Sequence, residues 1–176
     1  FMAAMLISFL GNLDKIPAYV DECKRLNIEI LKPDINKSYT KFTVDGNKIR
    51  FGLGSVKNVG IAAVDEIVEE RNKNGEFKDF ASFCERIADA SVNKKCIESL
   101  IKAGAFDNFE QTRRTLLESF EAIVDSIADS SKKSFDGQVS MFDLGGDSQN
   151  EIKELKYTYK VMPEFNEREL LPMEKE

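Results

Sequence analysis

Two short stretches hold residues whose types and spacing suit binding chemistry. The first is Val56-Lys57-Asn58-Val59-Gly60, followed at once by the helical pattern Ile61-Ala62-Ala63-Val64-Asp65-Glu66-Ile67. Such a turn exposes backbone N–H groups at the start of a helix, where the helix dipole also favours an anion. Lys57 adds a cation beside it. The second is Gly137-Gln138-Val139-Ser140-Met141-Phe142-Asp143-Leu144, an apolar island in a polar, acidic setting. Gln138 can donate and accept hydrogen bonds, while Met141 and Phe142 offer adjacent flexible and rigid anchors, the kind of cluster that dominates short-peptide affinity. Each stretch also has a plain alternative. The turn could simply join two antiparallel helices, and the peptide could fold back onto its own helices.

Bond-making chemistry has little to work with. The 176 residues include no histidine, which removes His-based acid–base catalysis, Ser-His and Cys-His pairs and most zinc sites. Cys23, Cys84 and Cys96 are far apart and form no C-x-x-C pair, which fits a reducing cytoplasm and plain apolar packing. Neither a paired-carboxylate motif nor a phosphate loop is present, so no catalytic residue and no metal ligand is assigned. The net charge of −6 argues at first against nucleic acid. Its distribution softens that objection: residues 1–60 hold nine basic and six acidic side chains, and residues 121–154 hold three and eight. The first third of the chain can therefore face a phosphate backbone.

These residues need elements to position them. Phe1–Leu10 is apolar but too short to span a bilayer, and it lacks the basic flank and cleavage pattern of a secretory signal. It reads as a helix end cut at a domain boundary, closed near Gly11-Asn12, so the chain is expected to be a piece of something larger with no membrane partner. A second helix is expected from about Asp14 to Leu26, with Pro17 tolerated in its first turn and Asn27 as a left-handed stop. Ile28–Leu31 suits a short strand. Phe42 and Val44, then Ile49 and Phe51, alternate around Asp45-Gly46 as a hairpin, with Asp45-Gly46-Asn47 as a three-residue variant. Helices follow over Ile61–Asn72, through Cys84 and Ile87, over Asn93–Lys102 and from Thr112 to about Ala128, with Phe77, Phe80 and Phe83 clustered between the first two. Residues 129–150 have the composition of a flexible linker. Leu155, Tyr157, Tyr159 and Val161 alternate like a strand, and Asn166–Lys175 looks helical but interrupted by Pro172. The expected class is mainly α with a small β-hairpin (α+β).

The stretch Gly52–Ile67 resembles a helix-hairpin-helix, a motif that joins two short helices through an apolar-Gly-apolar-Gly turn and usually holds a nucleic-acid phosphate without reading sequence. Asn58 stands where the first glycine is usual; of the non-glycine residues, asparagine tolerates the left-handed region well. A second, weaker copy is Leu100-Ile101-Lys102-Ala103-Gly104-Ala105-Phe106, with Phe106 in the second glycine's place and Arg113 and Arg114 nearby.

Taken in order, FMAAML, VDECKRLNIEILKPDINKS, KIRFGLGSVKNVG, FKDFASFCERI, NKKCIESLIKAGAFD and GQVSMFDL resemble the alpha subunits of bacterial DNA polymerase III, the C-family replicative polymerases. The resemblance implies an organisation: the end of a fingers domain with the hairpin over 1–51, a tandem helix-hairpin-helix region over 52–128, a clamp-binding linker over 129–150, and the lead-in to a truncated OB-fold over 151–176. It implies that Gln138, Val139, Ser140, Met141 and Phe142 dock a sliding clamp. It also implies that Lys57, Asn58, Val59 and Gly60, with Lys102, Gly104, Arg113 and Arg114 at the second copy, track the backbone of primer–template duplex. Other replicase subunits would be further partners. The family's catalytic carboxylates and their Mg2+ belong to a palm upstream of Phe1, so this chain alone is expected to be inactive and to hold no cofactor. The alternative is a structural or protein-interaction segment with no DNA affinity of its own.

Overall fold

Helix-forming stripes and turn residues set most of the elements, and the computed structural model describes residues 1–8, 13–88, 91–135, 157 and 159–175. Helix α1 (Met2–Ser8) buries Met2, Ala3 and Leu6. A 3-10 turn at Leu13–Lys15 leads into α2 (Ile16–Arg25), with Pro17 in its first turn, where a missing N–H costs no helical bond. Asn27 stops α2 in the left-handed region at φ 56°.

Three short strands follow: β1 (Ile30–Leu31), β2 (Thr43–Asp45) and β3 (Lys48–Arg50), in the order β1-β3-β2. The hairpin is present, but its turn sits one residue later than Asp45-Gly46. Asp45 pairs with Lys48, so Gly46-Asn47 is the two-residue loop. Only Gly46 has a positive φ (62°), the pattern of a type II′ turn with glycine first. The parallel pairing of β1 with β3, Ile30 opposite Ile49, had no local signal. Phe42 and Val44 share a face by alternation, yet Phe42 is buried and Val44, next to the turn, is 69% exposed.

Two apolar clusters result. The smaller gathers Met2, Leu6, Ile16, Cys23, Phe42 and Ile49; the larger lies among α3 (Ile61–Asn74), α4 (Phe80–Arg86), α5 (Lys94–Lys102) and α6 (Arg113–Phe135), and Phe51 packs against both. The loop 32–38 pins them together. Ile35 is buried in the larger core and its N–H donates to Ala105 C=O at 2.9 Å. Asn36 exchanges two bonds with the backbone of Phe77, each 2.9 Å. Asp34, 4% exposed, accepts from Asn36 N–H and Asn108 Nδ2. The buried Arg71 donates to Ile35 C=O (2.9 Å) and Ser38 C=O (3.0 Å). An irregular loop with buried carbonyls needs such donors, and a buried guanidinium needs such acceptors.

Three expectations are corrected. Helix α6 does not end near Ala128 but continues through 129–135 to Phe135. No glycine or proline interrupts that run, and Ser130 Oγ donates to Ser126 C=O (2.8 Å) inside the helix. No strand forms among the described residues of 152–161; Lys160 N–H and Met162 N–H bond instead to Ser119 Oγ and Thr115 Oγ1 on α6. Pro172 does not interrupt α7 (Glu167–Lys175), which Asn166 and Glu169 open with a reciprocal capping box. The remaining architecture is mostly helical with one small sheet, the expected α+β class.

All three thiols are free and buried. Burial pushes Cys96 up to about 11 and Cys84 higher still, and it raises Cys23 as well. The reactive thiolate is therefore scarce in the folded chain at pH 8. A thiol reagent at that pH should modify none of the three rapidly until denaturant is added; a fast-reacting thiol in the folded protein would contradict this packing.

Candidate nucleic-acid interface

The first turn is shaped by two valines that face inward. Val56 and Val59 are 9% and 8% exposed, and Val59 N–H closes the turn on Val56 C=O at 3.2 Å. Anchoring both sides pushes Lys57, Asn58 and Gly60 outward. Asn58 takes φ 64°, the left-handed conformation the motif normally gives to glycine. Its Nδ2 lies 3.4 Å from Ser99 Oγ, which sets the turn against α5.

Gly60 is the N-cap of α3, at φ −74° and ψ 146°. It offers no side chain to cap the helix, and the first turn of α3 carries no acidic residue. Intrahelical bonding begins with Val64 N–H to Gly60 C=O (3.1 Å), so the N–H groups of residues 61–63 point out of the helix end. A Cβ built on Gly60 meets nothing within 4 Å, which leaves open space in front of those donors. Lys57 is exposed and makes no ion pair among the described residues. The arrangement can accept a phosphate oxygen from the front with a cation at the side.

The second turn is built differently. Gly104 has φ 82°, with Ala105 N–H bonded to Leu100 C=O and Gly104 N–H to Ile101 C=O, each 3.0 Å. A Cβ on Gly104 would overlap the guanidinium of Arg113. Arg113 is 3% exposed and forks onto Asp107, with Nε and Nη2 each 2.6 Å from one carboxylate oxygen, while Nη1 donates to Lys102 C=O. The start of α6 is also occupied. Thr112 Oγ1 accepts from Thr115 N–H, and the Glu164 carboxylate accepts from Arg113 N–H at 2.9 Å. Gly104 and Arg113 are thus packed inside the second turn, with the guanidinium held by Asp107 and Lys102 C=O. Lys102 reaches Glu98 at 2.7 Å, and the half-buried Arg114 lies over the Phe165 ring at 5.5 Å.

Residues 27–116, just over half of the chain, match the family model described as the helix-hairpin-helix motif. The chain belongs to the helix-hairpin-helix family. Over its whole length it is similar to proteins named DNA polymerase III subunit alpha: 39% identical to that of Borreliella burgdorferi and 38% to that of Vibrio cholerae, in each case over 15% of the relative. That of Campylobacter jejuni is 47% identical over 69% of this chain and 10% of its own length. The chain therefore spans about 15% of the length of the relatives it matches end to end.

Within this helix-hairpin-helix chain, Lys95 is exposed on α5 one helical turn before Ser99, the residue that Asn58 contacts. Lys57, Asn58 and Gly60 are exposed at the first turn, and Val59 between them is buried. Gln138–Phe142 fall outside the described residues. Among the described residues, no group of three or more acidic or sulfur ligands is placed to hold a metal ion. No helix among them is long and apolar enough to cross a membrane.

The left-handed position gives a direct test. Asn58→Gly should keep the fold and its stability to within a few tenths of a kcal/mol, whereas Asn58→Val should lose roughly 1–2 kcal/mol in urea unfolding. Equal stabilities for the two variants would mean that φ at 58 is not left-handed.

Proposed function

We propose that this chain is a non-catalytic part of a DNA polymerase III alpha subunit that holds duplex DNA by its backbone and docks the sliding clamp. The observation that carries the DNA half is the uncapped N-terminus of α3 beside Lys57. Asn58, Val59 and Gly60 form the rest of that contact, and Lys102 and Arg114 add cations at the second copy. Binding there is to phosphate, so it is independent of base sequence.

The clamp half rests on the peptide Gln138–Phe142 and the family resemblance. Gln138 takes a polar subsite, Met141 and Phe142 take an apolar pocket, and Val139 and Ser140 space them. Nucleotide transfer, with its Mg2+, belongs to the longer relatives' other segments, and other replicase subunits and a cytoplasmic setting accompany that role. The fingers end over 1–51, the tandem region over 52–128 and the lead-in to an OB-fold over 151–176 form part of this proposal.

A purely structural segment is the second reading, and two observations favour it: the net charge of −6 and the way Glu164 and Arg113 close the second turn. It predicts no duplex affinity even at low salt.

One titration of the chain against duplex DNA and against sliding clamp, at several salt concentrations, separates the readings. Lys57→Glu should weaken duplex binding and lower the slope of log K against log salt by about 1. An unchanged slope would remove the first turn from the interface. Met141→Ala with Phe142→Ala should abolish clamp binding and leave duplex affinity intact; retained clamp affinity would sink the docking claim.

A further inference from the structure

At the far end of α3 from the phosphate turn, an open groove of about 570 Å³ runs between the hairpin and the last turn of the helix. Its walls include Lys37, Tyr39, Val44, Arg50, Arg71 and Asn72. Tyr39 is 47% exposed, and the guanidinium of Arg71 lies over its ring at 4.9 Å. Arg71 is itself fixed, since it is buried and donates to Ile35 C=O and Ser38 C=O. The ring is therefore held by a rigid cation while the residue stays about half exposed. Little side-chain freedom is lost when something flat stacks on it.

Val44, exposed on β2, also lines the groove, and the flank carries Lys37, whose side chain is 59% exposed and whose Nζ lies 4.0 Å from the Asp34 carboxylate. The acids of the groove are Asp45, bonded to Arg50 at 2.8 Å, and the exposed Glu76. The three cations are thus matched by Asp34, Asp45 and Glu76, and the exposed Lys37 ammonium, 4.0 Å from its partner, is the one held most loosely. A flat apolar group with an attached anion fits this lining, which is the chemistry of a nucleobase on its phosphodiester. A paired base has both faces stacked within the duplex and cannot use the ring, so the occupant must be unpaired.

We infer that the Tyr39 groove binds an unpaired nucleotide of single-stranded nucleic acid, with the base stacked on Tyr39 against Val44 and the phosphate near Lys37. The groove is distinct from the phosphate turn: from Gly60 to Asn72 along α3 is about 18 Å. A strand leaving duplex held at the turn could reach it within a few nucleotides. The inference does not depend on duplex binding at the turn, because stacking alone holds a single strand in the groove.

The test is fluorescence titration of the chain with a short oligothymidylate carrying one 2-aminopurine, alongside a fully paired duplex of the same length. The wild type should bind the single strand at low salt and quench the 2-aminopurine. Tyr39→Ala should weaken single-strand binding roughly 5- to 150-fold and abolish the quench, while duplex affinity stays unchanged. Tyr39→Phe should keep both. Val44→Asp, at an exposed position that leaves the fold intact, should weaken only the single strand. No single-strand binding by the wild type, or unchanged binding and quench in both Tyr39→Ala and Val44→Asp, would overturn the inference. Single-strand binding lost in Lys57→Glu but kept in Tyr39→Ala would also overturn it, by placing the strand at the turn. Loss of duplex binding alone in Lys57→Glu would support two separate sites.

Discussion

Phe106 stands where a second phosphate-holding turn would have its glycine, and its ring is the point on which the larger core closes. It meets Phe83 at 4.9 Å and Phe80 at 5.1 Å, both edge to face, while Phe77 meets Phe83 at 5.1 Å. Each edge-to-face pair adds about 0.5–1.5 kcal/mol beyond the area it buries. The geometric effect is as important as the energy. Phe77, Phe80 and Phe83 enter the core from α4 and the segment before it, and Phe106 enters from the turn after α5, so the cluster sets α4 against that turn. Ala105 and Asn108, on either side of Phe106, then receive the loop 32–38, which brings the hairpin into the same body.

This constraint explains why two turns of related sequence behave differently. The first turn gives only Val56 and Val59 to the core and keeps its helix end open. The second surrenders Phe106 to the aromatic cluster, folds Arg113 onto Asp107 and closes the start of α6 with Thr112 and Glu164. A carboxylate of the chain itself occupies the place that an external phosphate would take. Degeneration of the glycine pattern is thus a consequence of the second turn's job as a packing corner, and it concentrates the anion-binding capacity of the region at α3.

Helix α3 then organises the exposed chemistry at both ends. Its N-terminus presents unbonded N–H groups beside Lys57, and its C-terminal half carries Arg71 beneath Tyr39 and Arg86-bonded Glu70 on another face. Arg86 is held there by Glu70, by the carbonyls of Glu70, Gly75 and Glu76, and by the Phe77 ring at 4.3 Å. The bonds lower the Glu70 carboxyl below its ordinary range, chiefly through Arg86 and then Asn74. The end of α3 is therefore stiffened where the groove begins.

Sequence by itself determined what depends on neighbours along the chain. Helical stripes such as Cys96, Ile97, Leu100 and Ile101, the asparagine stop at Asn27, the capping residue Asn93 and the left-handed tolerance of Asn58 are all local properties of backbone and side chain. The absence of histidine likewise fixed which chemistries are unavailable. Tertiary structure decided the rest, because partners 25 to 74 residues apart carry no mark on each other: Thr40 with Asp65, Asn36 with Phe77, Asp34 with Asn108. Those pairings turned an expected loop into a buried joint. A pairing of the same kind sets Asn58 of the first turn against Ser99 on α5, 41 residues away. The same reasoning separates the two turns: glycine spacing says where the chain can turn, but only the packing of Phe106 and Glu164 says which turn is still open.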